Sequence, residues 1–355
     1  MLSSATKNGT YYNEDTIITN TIVRNDTFHE NAPHEIKIII FANGHGEGVE
    51  GKELSSYICK KSDTWVHDLV KHPLIQWTIQ QWTEEASTFT FSLHNFYRTI
   101  CSVHTDKFDG MKRFIDKEGT VRKYNGEPVY TGSTLSISLT FPIETSFRTI
   151  TIQVGDSLIY MDQVCVSENT SPTSKEEWTR LQSIPSSRRL IPVYDTIDGV
   201  KRIFLKDGTM DPTYYIQDKK PIPWNFHYGL RYKNLRHDPV TYFHSPNGAM
   251  DTIRLSNTRV IGDYYGHPCG LSHEPIVKLH DTDRCPFIII GNHSVWDLLN
   301  SNNEWVSARE TIHIDLRECK KYELSISNVL VNKLHQLYKD TFHDGNTISI
   351  AVLYP

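Results

Sequence analysis

Short turns that carry acidic side chains recur at widely separated places along this chain of 355 residues. Carboxylate oxygens are the ligands that Mg²⁺ and Mn²⁺ prefer, and two such ions held close together need several carboxylates to offset their charge. A single acidic turn is usually only a turn, so the prediction of a metal site depends on the whole set. The acids that could contribute are Glu14, Asp15, Asp156, Asp263, Asp297 and Asp344.

One turn of the same kind carries an amide instead of an acid. It follows the apolar run 36–41 and reads Asn43-Gly44-His45-Gly46. The Asn43 amide oxygen can bind a hard cation, but it brings no charge and is a poor bridge between two ions. The alternative interpretation is a local one, because asparagine in a turn often bonds nearby backbone and tolerates left-handed conformations.

The elements that must position these turns are short strands and a few helices. Alternation of apolar and polar residues predicts half-buried strands at 135–139, 150–154 and 348–352, and apolar runs predict strands at 36–41 and 287–290. Helices are predicted at 50–60, 82–103 and 174–181, and a last one carries the stripe of Leu330, Leu334, Leu337 and Tyr338. Asn125-Gly126 and Asp207-Gly208 predict tight hairpin turns. Strands and helices come in clusters without βαβ alternation, which favours antiparallel sheets with helices packed outside them.

The overall charge and the cysteine pattern exclude several classes of protein. The formal net charge is −5 and the isoelectric point is about 6.4, so nothing calls for nucleic acid or an anionic membrane. No run approaches the about 18 apolar residues of a membrane span, and the first residues lack the apolar core of a signal peptide. The six cysteines are scattered without a Cys-x-x-Cys pair, which is typical of free thiols in a reducing compartment. We therefore expect an intracellular protein, cytoplasmic or nuclear.

The order and spacing of the turns resemble the type 2C metal-dependent serine/threonine protein phosphatases over most of the chain. The family's acidic pair, Asp-Gly-His-Gly loop, Gly-Ser-Thr strand start and Gly-Asp-Ser turn correspond to residues 14–15, 43–46, 132–134 and 155–157. Its Ser/Thr-Arg-x-x-Gly-Asp, Asp-Gly-x-Trp-Asp and Asp-Asn-x-Thr blocks correspond to residues 258–263, 293–297 and 344–347. The resemblance implies a single α+β domain over residues 1–355, a four-layer α-β-β-α sandwich with two stacked antiparallel sheets flanked by helices. It also implies two Mg²⁺ or Mn²⁺ ions at one end of the sandwich.

Three positions depart from the family's pattern. In the family, the Asp of the Asp-Gly-His-Gly loop bridges both ions, and this chain has Asn43 there. The first Asp of the Asp-Gly-x-Trp-Asp block is a second ligand, and here it is His293, whose imidazole suits Zn, Cu or Fe better than Mg²⁺. The Arg that grips the substrate phosphate is replaced by Thr10, whose hydroxyl cannot make a bidentate contact. The resemblance therefore implies a pseudophosphatase, for which we expect no catalytic residue and no cofactor.

The other site positions are vestigial in this interpretation. A register two residues later would put Asn346 in place of Asp344, but the spacing to Thr347 favours Asp344. The alternative is that the acids only cap turns and bond backbone amides at strand ends. The resemblance implies that the metal-ligand positions are Glu14, Asp15, Gly44, Asp156, Asp297 and Asp344, and that His45 and Asp263 line the site.

The segment 184–250 stands apart, because it is rich in Pro, Asp-Gly turns and aromatic residues and has weak periodicity. It predicts an elaborated insertion or loop layer rather than a second core. Lys and Arg outnumber the acids between Arg188 and Arg236, with aromatic residues interleaved, which is typical of protein-binding surfaces. The alternative is a layer that buries its aromatic residues on the sandwich, while the spread of charge disfavours nucleic acid. The candidate binding residues are Trp224, Phe226, Tyr228, Arg231 and Tyr232.

Three functional hypotheses remain open from the sequence. The first is a catalytically impaired phosphatase-like domain that acts as a binding or scaffold module for protein partners. The second is an active phosphatase with an altered centre, which would need two Mg²⁺ or Mn²⁺ ions. The third is a structural component of a larger assembly that docks through residues 184–250. We expect no membrane contact, and docking of a phosphopeptide without cleavage also stays open.

Overall fold

The computed structural model describes residues 2–7, 14–23, 33–46, 49–103, 112–162, 164–196, 199–214, 241–245, 255–292, 295, 326–338 and 348–353. The strands are β1 Leu2–Lys7, β2 Asp15–Val23, β3 Glu35–His45, β4 Phe114–Ile115, β5 Val121–Arg122, β6 Gly132–Ser133, β7 Leu135–Ile143, β8 Ser146–Val154, β9 Leu158–Met161, β10 Val164–Cys165, β11 Ile191–Thr196, β12 Gly199–Arg202, β13 Thr241–His244, β14 Ile261–Gly262, β15 Ile276–Thr282, β16 Ile288–Gly291 and β17 Ile348–Leu353. The helices are α1 Glu50–Leu69, α2 Ile79–Val103, α3 Lys175–Gln182 and α4 Ile326–Tyr338.

Two antiparallel sheets form the centre of the molecule. The larger one has the order β14-β6-β3-β7-β8-β15, and β2 also pairs with β3. The smaller one has the order β1-β17-β16-β9-β10, so that it joins the beginning of the chain to its end. The apolar runs at 36–41 and 287–290 and the alternating segments all lie in or overlap these strands.

Three separate apolar clusters show how the layers stack. One cluster lies between the larger sheet and helices α1 and α2, with Ile38, Leu54 and Trp82 among its members. The second lies between the two sheets and includes Phe41 and Ile290. The third lies between the smaller sheet and α4, and its members are Ala5, Ile289, Val295, Leu330, Val331, Leu334, Ile348, Ile350 and Val352. Three interfaces require four layers, so the expected α-β-β-α sandwich is confirmed.

The prediction of half-buried strands at 135–139, 150–154 and 348–352 is wrong. All residues of these three segments are buried, including the polar Ser136 and Ser138. The physical reason is that helices cover one face of each sheet and the other sheet covers the second face. Small hydroxyls tolerate this burial when they find local partners: Ser136 Oγ donates to the Ser157 carbonyl at 2.5 Å.

The helices begin close to the predicted positions, and α1 runs nine residues further than predicted, to Leu69. Ser174 caps α3, because its hydroxyl accepts a hydrogen bond from the Glu177 N–H at 3.3 Å. Leu330 and Leu334 of the predicted stripe are buried in α4, and the side chains of Leu337 and Tyr338 lie outside the described residues. None of the helices in the described ranges is both long enough and apolar enough to cross a membrane.

The described part of the segment 184–250 contains a small sheet of its own. Strands β12, β11 and β13 pair in that order, and Tyr194, Ile203 and Phe204 form a separate apolar cluster packed against Trp178. The prediction of an elaborated insertion stays a prediction, and its described part holds this small cluster and three short strands. The weak periodicity concealed the cluster, because so few residues from each strand contribute to it. Residues 215–240, which carry the five candidate binding residues, lie outside the described part.

Candidate functional site

The strand ends of the larger sheet bring four of the predicted site residues together. Asp15 and Asn43 are directly opposite each other in the β2–β3 register. One residue further, the Gly44 N–H donates to the Glu14 carbonyl at 3.2 Å. The Asn43 carbonyl accepts a hydrogen bond from the Thr134 N–H at 3.0 Å, which connects this edge to the strand start at β6.

A close approach of two backbones positions this edge against helix α1. A Cβ on Gly44 would lie 2.0 Å from the Gly51 carbonyl oxygen, and a Cβ on Gly51 would lie 2.9 Å from the Glu14 carboxyl carbon. Only glycine allows the first turn of α1 to pack directly on the end of β3. The glycines of the 43–46 loop therefore have a structural function as well as a place in the motif.

The Asp15 carboxylate is buried and engaged by hydrogen-bond donors. The Asn292 amide donates to Oδ2 at 3.0 Å. The Asn43 amide faces Oδ1 at 2.8 Å, and we assign its nitrogen to that side because an amide nitrogen there donates where an oxygen would face only acceptors. Burial raises the pKa of Asp15 to about 7, although hydrogen bonds from Ser349 and Asn292 and the charge of Lys52 oppose this shift. Both carboxylate oxygens thus already accept N–H groups.

Lys52 of α1 adds a positive charge beside the same strand. Its ammonium donates to the Asp15 carbonyl and lies 3.2 Å from the Thr16 hydroxyl. Sequence reasoning missed Lys52 because it belongs to none of the family's blocks. It also missed Asn292, which directly precedes the block at 293–297, a position that could have drawn attention to it.

His45 and Asp263 form a second feature at this edge. Asp263 Oδ2 lies 2.6 Å from His45 Nε2, and the aspartate side chain is buried while the imidazole is 45% exposed. Asp263 follows Gly262 at a positive φ of 43°, a conformation that aspartate tolerates better than most residues. Gly132 lies beneath the pair, since a Cβ there would stand 2.4 Å from Asp263 Oδ2. A carboxylate that orients a half-exposed imidazole is an arrangement that can hold and move a proton.

The Gly155-Asp156-Ser157 turn contacts Thr134, the residue between β6 and β7. The Thr134 and Ser157 hydroxyls lie 2.6 Å apart, so this turn is tied to the residue that bonds Asn43. Gly155 has a φ of +96°, as expected for the tight turn after β8. Asp156, at the tip of this turn, is half-buried.

A buried ion pair between Arg113 and Glu50 lies next to the elements that flank the 43–46 loop. Arg113 contacts both Glu50 carboxylate oxygens, at 2.5 and 3.1 Å, and the Thr131 hydroxyl donates to Glu50 at 2.9 Å. Glu50 begins α1 and Thr131 precedes Gly132, so the pair braces both elements that flank the 43–46 loop. Nothing in the sequence indicated this contact, because its partners are 63 residues apart.

Hydrogen bonds to helix α3 fix the position of the segment 258–263. Arg259 donates to Glu177 of α3 at 2.8 Å, and the Thr258 hydroxyl donates to the same carboxylate at 2.6 Å. Although burial opposes its ionisation, Arg259 and Arg180 lower the pKa of Glu177. Arg259 thus anchors the segment that presents Asp263. Four predicted site positions lie outside the described residues: Thr10, His293, Asp297 and Asp344.

Comparison with solved structures identifies this architecture. A C. elegans sex determining protein aligns over 99% of this chain at 12% identity with a TM-score of 0.58, and the chain spans 64% of that protein's chain. A phosphatase from a pathogenic strain of Toxoplasma gondii aligns over 98% of this chain and 90% of its own, at 12% identity and a TM-score of 0.55. A serine-threonine phosphatase 2C from Toxoplasma gondii aligns over 99% and 94%, at 10% identity and a TM-score of 0.51.

These similarities show a fold. No protein-family model matches the chain, and no curated protein matches it. At 10–12% identity the structural likeness carries the architecture and leaves the activity open. The chain has the fold of the type 2C serine/threonine phosphatases, as the order of its turns predicted.

Proposed function

We propose that this chain is a catalytically impaired domain of the type 2C phosphatase fold that acts as a binding module. The observation that carries the proposal is the position of the Asn43 amide opposite Asp15, 2.8 Å from the Asp15 carboxylate, where its assigned orientation makes it a donor. At the position where the family has an acid shared by two metal ions, this chain has a donor that satisfies the neighbouring acid. Among the described residues, the Asp15 carboxylate then has its donors without a cation.

The described donors do not fit a pair of hard dications. A cation needs oxygen lone pairs, and each Asp15 oxygen already directs one of its two lone pairs to an asparagine N–H, which leaves fewer for an ion. The Lys52 ammonium beside β2 repels further positive charge. A further acid of the family's ligand set is missing, because position 293 is a histidine.

The absence of the family's phosphate-binding arginine is a second, independent argument for the same conclusion. Thr10 stands where the family has the Arg that grips the substrate, and a hydroxyl gives neither charge nor a bidentate contact. The candidate binding residues at 224–232 then become the feature that a partner would recognise.

A calorimetric titration with Mn²⁺ tests the impaired site. We expect no binding at millimolar Mn²⁺ for the wild-type chain and no metal-dependent turnover of a generic phosphomonoester. The double variant Asn43→Asp, His293→Asp returns two acids and should gain Mn²⁺ binding. Asn125→Asp is the matched control, because it adds one acid at an exposed turn and should leave the wild-type result unchanged.

Two outcomes would contradict the proposal. The first is metal-dependent turnover by the wild-type chain that disappears in Asp15→Asn. The second is a double variant that binds no Mn²⁺ although it remains folded by circular dichroism, since missing charge at positions 43 and 293 would then not be the cause.

A separate experiment tests the binding role. Trp224, Phe226 and Tyr232 would be replaced together by Ser in the full chain, and proteins captured by the variant and the wild-type chain would be compared by quantitative mass spectrometry. A control with Phe114 and Tyr124 replaced by Ser removes exposed aromatic side chains elsewhere. We expect specific partners to be lost only in the first variant, and partners retained by both would place the interface elsewhere.

A further inference from the structure

Three histidines from distant parts of the chain meet beside Gly262. His94 lies in α2, His267 begins the short 3₁₀ helix His267–Cys269, and His273 precedes β15. Each offers one ring nitrogen such that the three atoms all lie within 4.8 Å of one another. None of these histidines belongs to the candidate site, although the charge of Asp263 acts on His267, and no motif in the sequence indicated the group.

The three rings are packed together and held neutral. The ring centroid of His94 lies 4.2 Å from that of His267 and 4.6 Å from that of His273. Burial lowers the pKa of all three rings, to about 4 for His267 and further for His94. Neutral imidazole is the form that binds transition metals, and each neutral ring has one lone pair to give.

The hydrogen bonds around the rings leave suitable nitrogens available. His267 Nε2 lies 2.9 Å from the Gly262 carbonyl, to which it donates, so its Nδ1 keeps the lone pair. A backbone carbonyl that accepts the other ring N–H is the usual support of a metal-binding histidine. Neither nitrogen of His273 has a hydrogen-bond partner among the described residues, although a buried imidazole normally finds one.

One nitrogen of His94 already has a weak contact, which must lengthen if that nitrogen binds a metal. The Gly262 N–H points at His94 Nδ1 over 3.3 Å, a long and weak hydrogen bond. The surroundings carry mixed charge: Glu274 lies 4.0 Å from His273 Nε2, and the Arg98 charge lies near all three rings. Metal binding must therefore come from the imidazoles, because the neighbouring charges largely offset each other.

We propose that His94, His267 and His273 form a Zn²⁺ site whose fourth position is open to water or another ligand. Three imidazoles with one open position are an established zinc arrangement, and imidazole is poorly suited to Mg²⁺ or Ca²⁺. Zn–N bonds of about 2.0–2.1 Å in tetrahedral geometry place two nitrogens about 3.3 Å apart. The rings must close by up to about 1.5 Å from the 4.8 Å span. His273 stacks on His94 at an interplanar angle of 17° and has no hydrogen bond to lose, so it is the ring that must turn and move.

The position of the site links it to Asp263. Gly262 contacts both His94 and His267, and the next residue is Asp263, which orients His45. Zinc would therefore hold the turn that presents Asp263 to the strand edge. This site is independent of the proposed loss of the Mg²⁺ or Mn²⁺ centre, and it stands if that proposal fails.

The test is a titration of the metal-free full chain with Zn²⁺ against a chromophoric chelator. We expect one Zn²⁺ for each chain in the wild type, and visible absorption of four-coordinate Co²⁺ when Co²⁺ replaces it. The double variant His267→Asn, His273→Asn should bind Zn²⁺ more than about 100-fold more weakly, since even loss of an outer support of a metal ligand costs about 10–100-fold. His34→Asn, His72→Asn is the matched control with two exposed histidines removed, and it should bind as the wild type does.

Two results would overturn the proposal. One is a wild-type chain that binds no Zn²⁺, and the other is equal Zn²⁺ affinity in the cluster variant and the wild type. Circular dichroism of each metal-free variant checks that it folds. The single variant His273→Gln provides the answer if the double variant does not fold, because that ring makes no hydrogen bond that the fold could lose.

Discussion

Replacing Asp15 by Asn changes how the stability of the fold depends on pH. The amide has the shape of the carboxyl group, and the Asn43 amide can turn over to present its oxygen. The Asn292 N–H still finds an acceptor at position 15. The substitution therefore removes the charge and keeps the contacts.

The direction of this pH dependence follows from the pKa of Asp15 in the folded and the unfolded chain. Burial raises it to about 7 in the folded chain, from 3.8 in an exposed carboxyl. Between these values the folded state holds a proton that the unfolded state has released, so the free energy of unfolding falls as pH rises. A difference of about 3.2 pH units at about 1.4 kcal/mol each amounts to about 4 kcal/mol. The Asn43 N–H favours the charged form by about 1.5–3 kcal/mol, which leaves a net loss of about 2 kcal/mol for the wild type.

Urea unfolding at intervals from pH 4 to pH 8 measures this loss. We expect Asp15→Asn to gain about 2 kcal/mol relative to the wild type by pH 8, with the gain beginning near pH 4 and levelling off well below pH 7, because the Asn43 N–H lowers the pKa of Asp15. Asp283→Asn removes an exposed carboxyl and serves as the control. A difference between Asp15→Asn and the wild type that stays constant within about 0.5 kcal/mol would refute the reasoning.

Three further outcomes follow from contacts around the same edge, each measured by urea unfolding. Gly44→Ala should lower the free energy of unfolding by at least about 3 kcal/mol, because its methyl group would meet backbone at 2.0 Å. Gly126→Ala, in open space at a φ of +88°, should lower it by about 1–2 kcal/mol, and equal losses for the two variants would contradict this. Arg113→Met should cost about 3–5 kcal/mol by leaving a buried carboxylate unpaired, and adding Glu50→Leu should recover part of it rather than add to it. Lys52→Met should move the pH range of the Asp15 effect upward, since the ammonium lowers that pKa, and a downward move would exclude this interaction.

Parts of the fold could be predicted because their signals are local. The apolar run at 36–41 and the alternation at 135–139 depend on neighbouring residues only, and both lie in strands of the larger sheet. Glycine and asparagine in turns act through their own backbone, so Gly126 and Gly155 mark turns wherever the segments pack. The order of the turns resembles that of the type 2C phosphatases, and this resemblance implied the sandwich.

The surroundings of these residues could not be predicted in the same way. Alternation at Ser136 and Ser138 indicates a strand but says nothing of what covers its second face, and here a sheet and helices cover both. The three apolar residues of the small cluster around Tyr194 are too few to produce a periodic pattern. Burial is a property of the assembled layers, and a strand's own residues do not record it.

The amino-acid order alone therefore determined which turns carry acids and that position 43 carries an amide. The tertiary structure decided what that amide does, because the β2–β3 register sets it against Asp15 and brings Asn292 from 277 residues away to the same carboxylate. It also decided that His94 and His273 meet, although 179 residues separate them in the chain. Hydrogen bonds act over about 3 Å of space, and only the packing of distant segments places their partners within that distance.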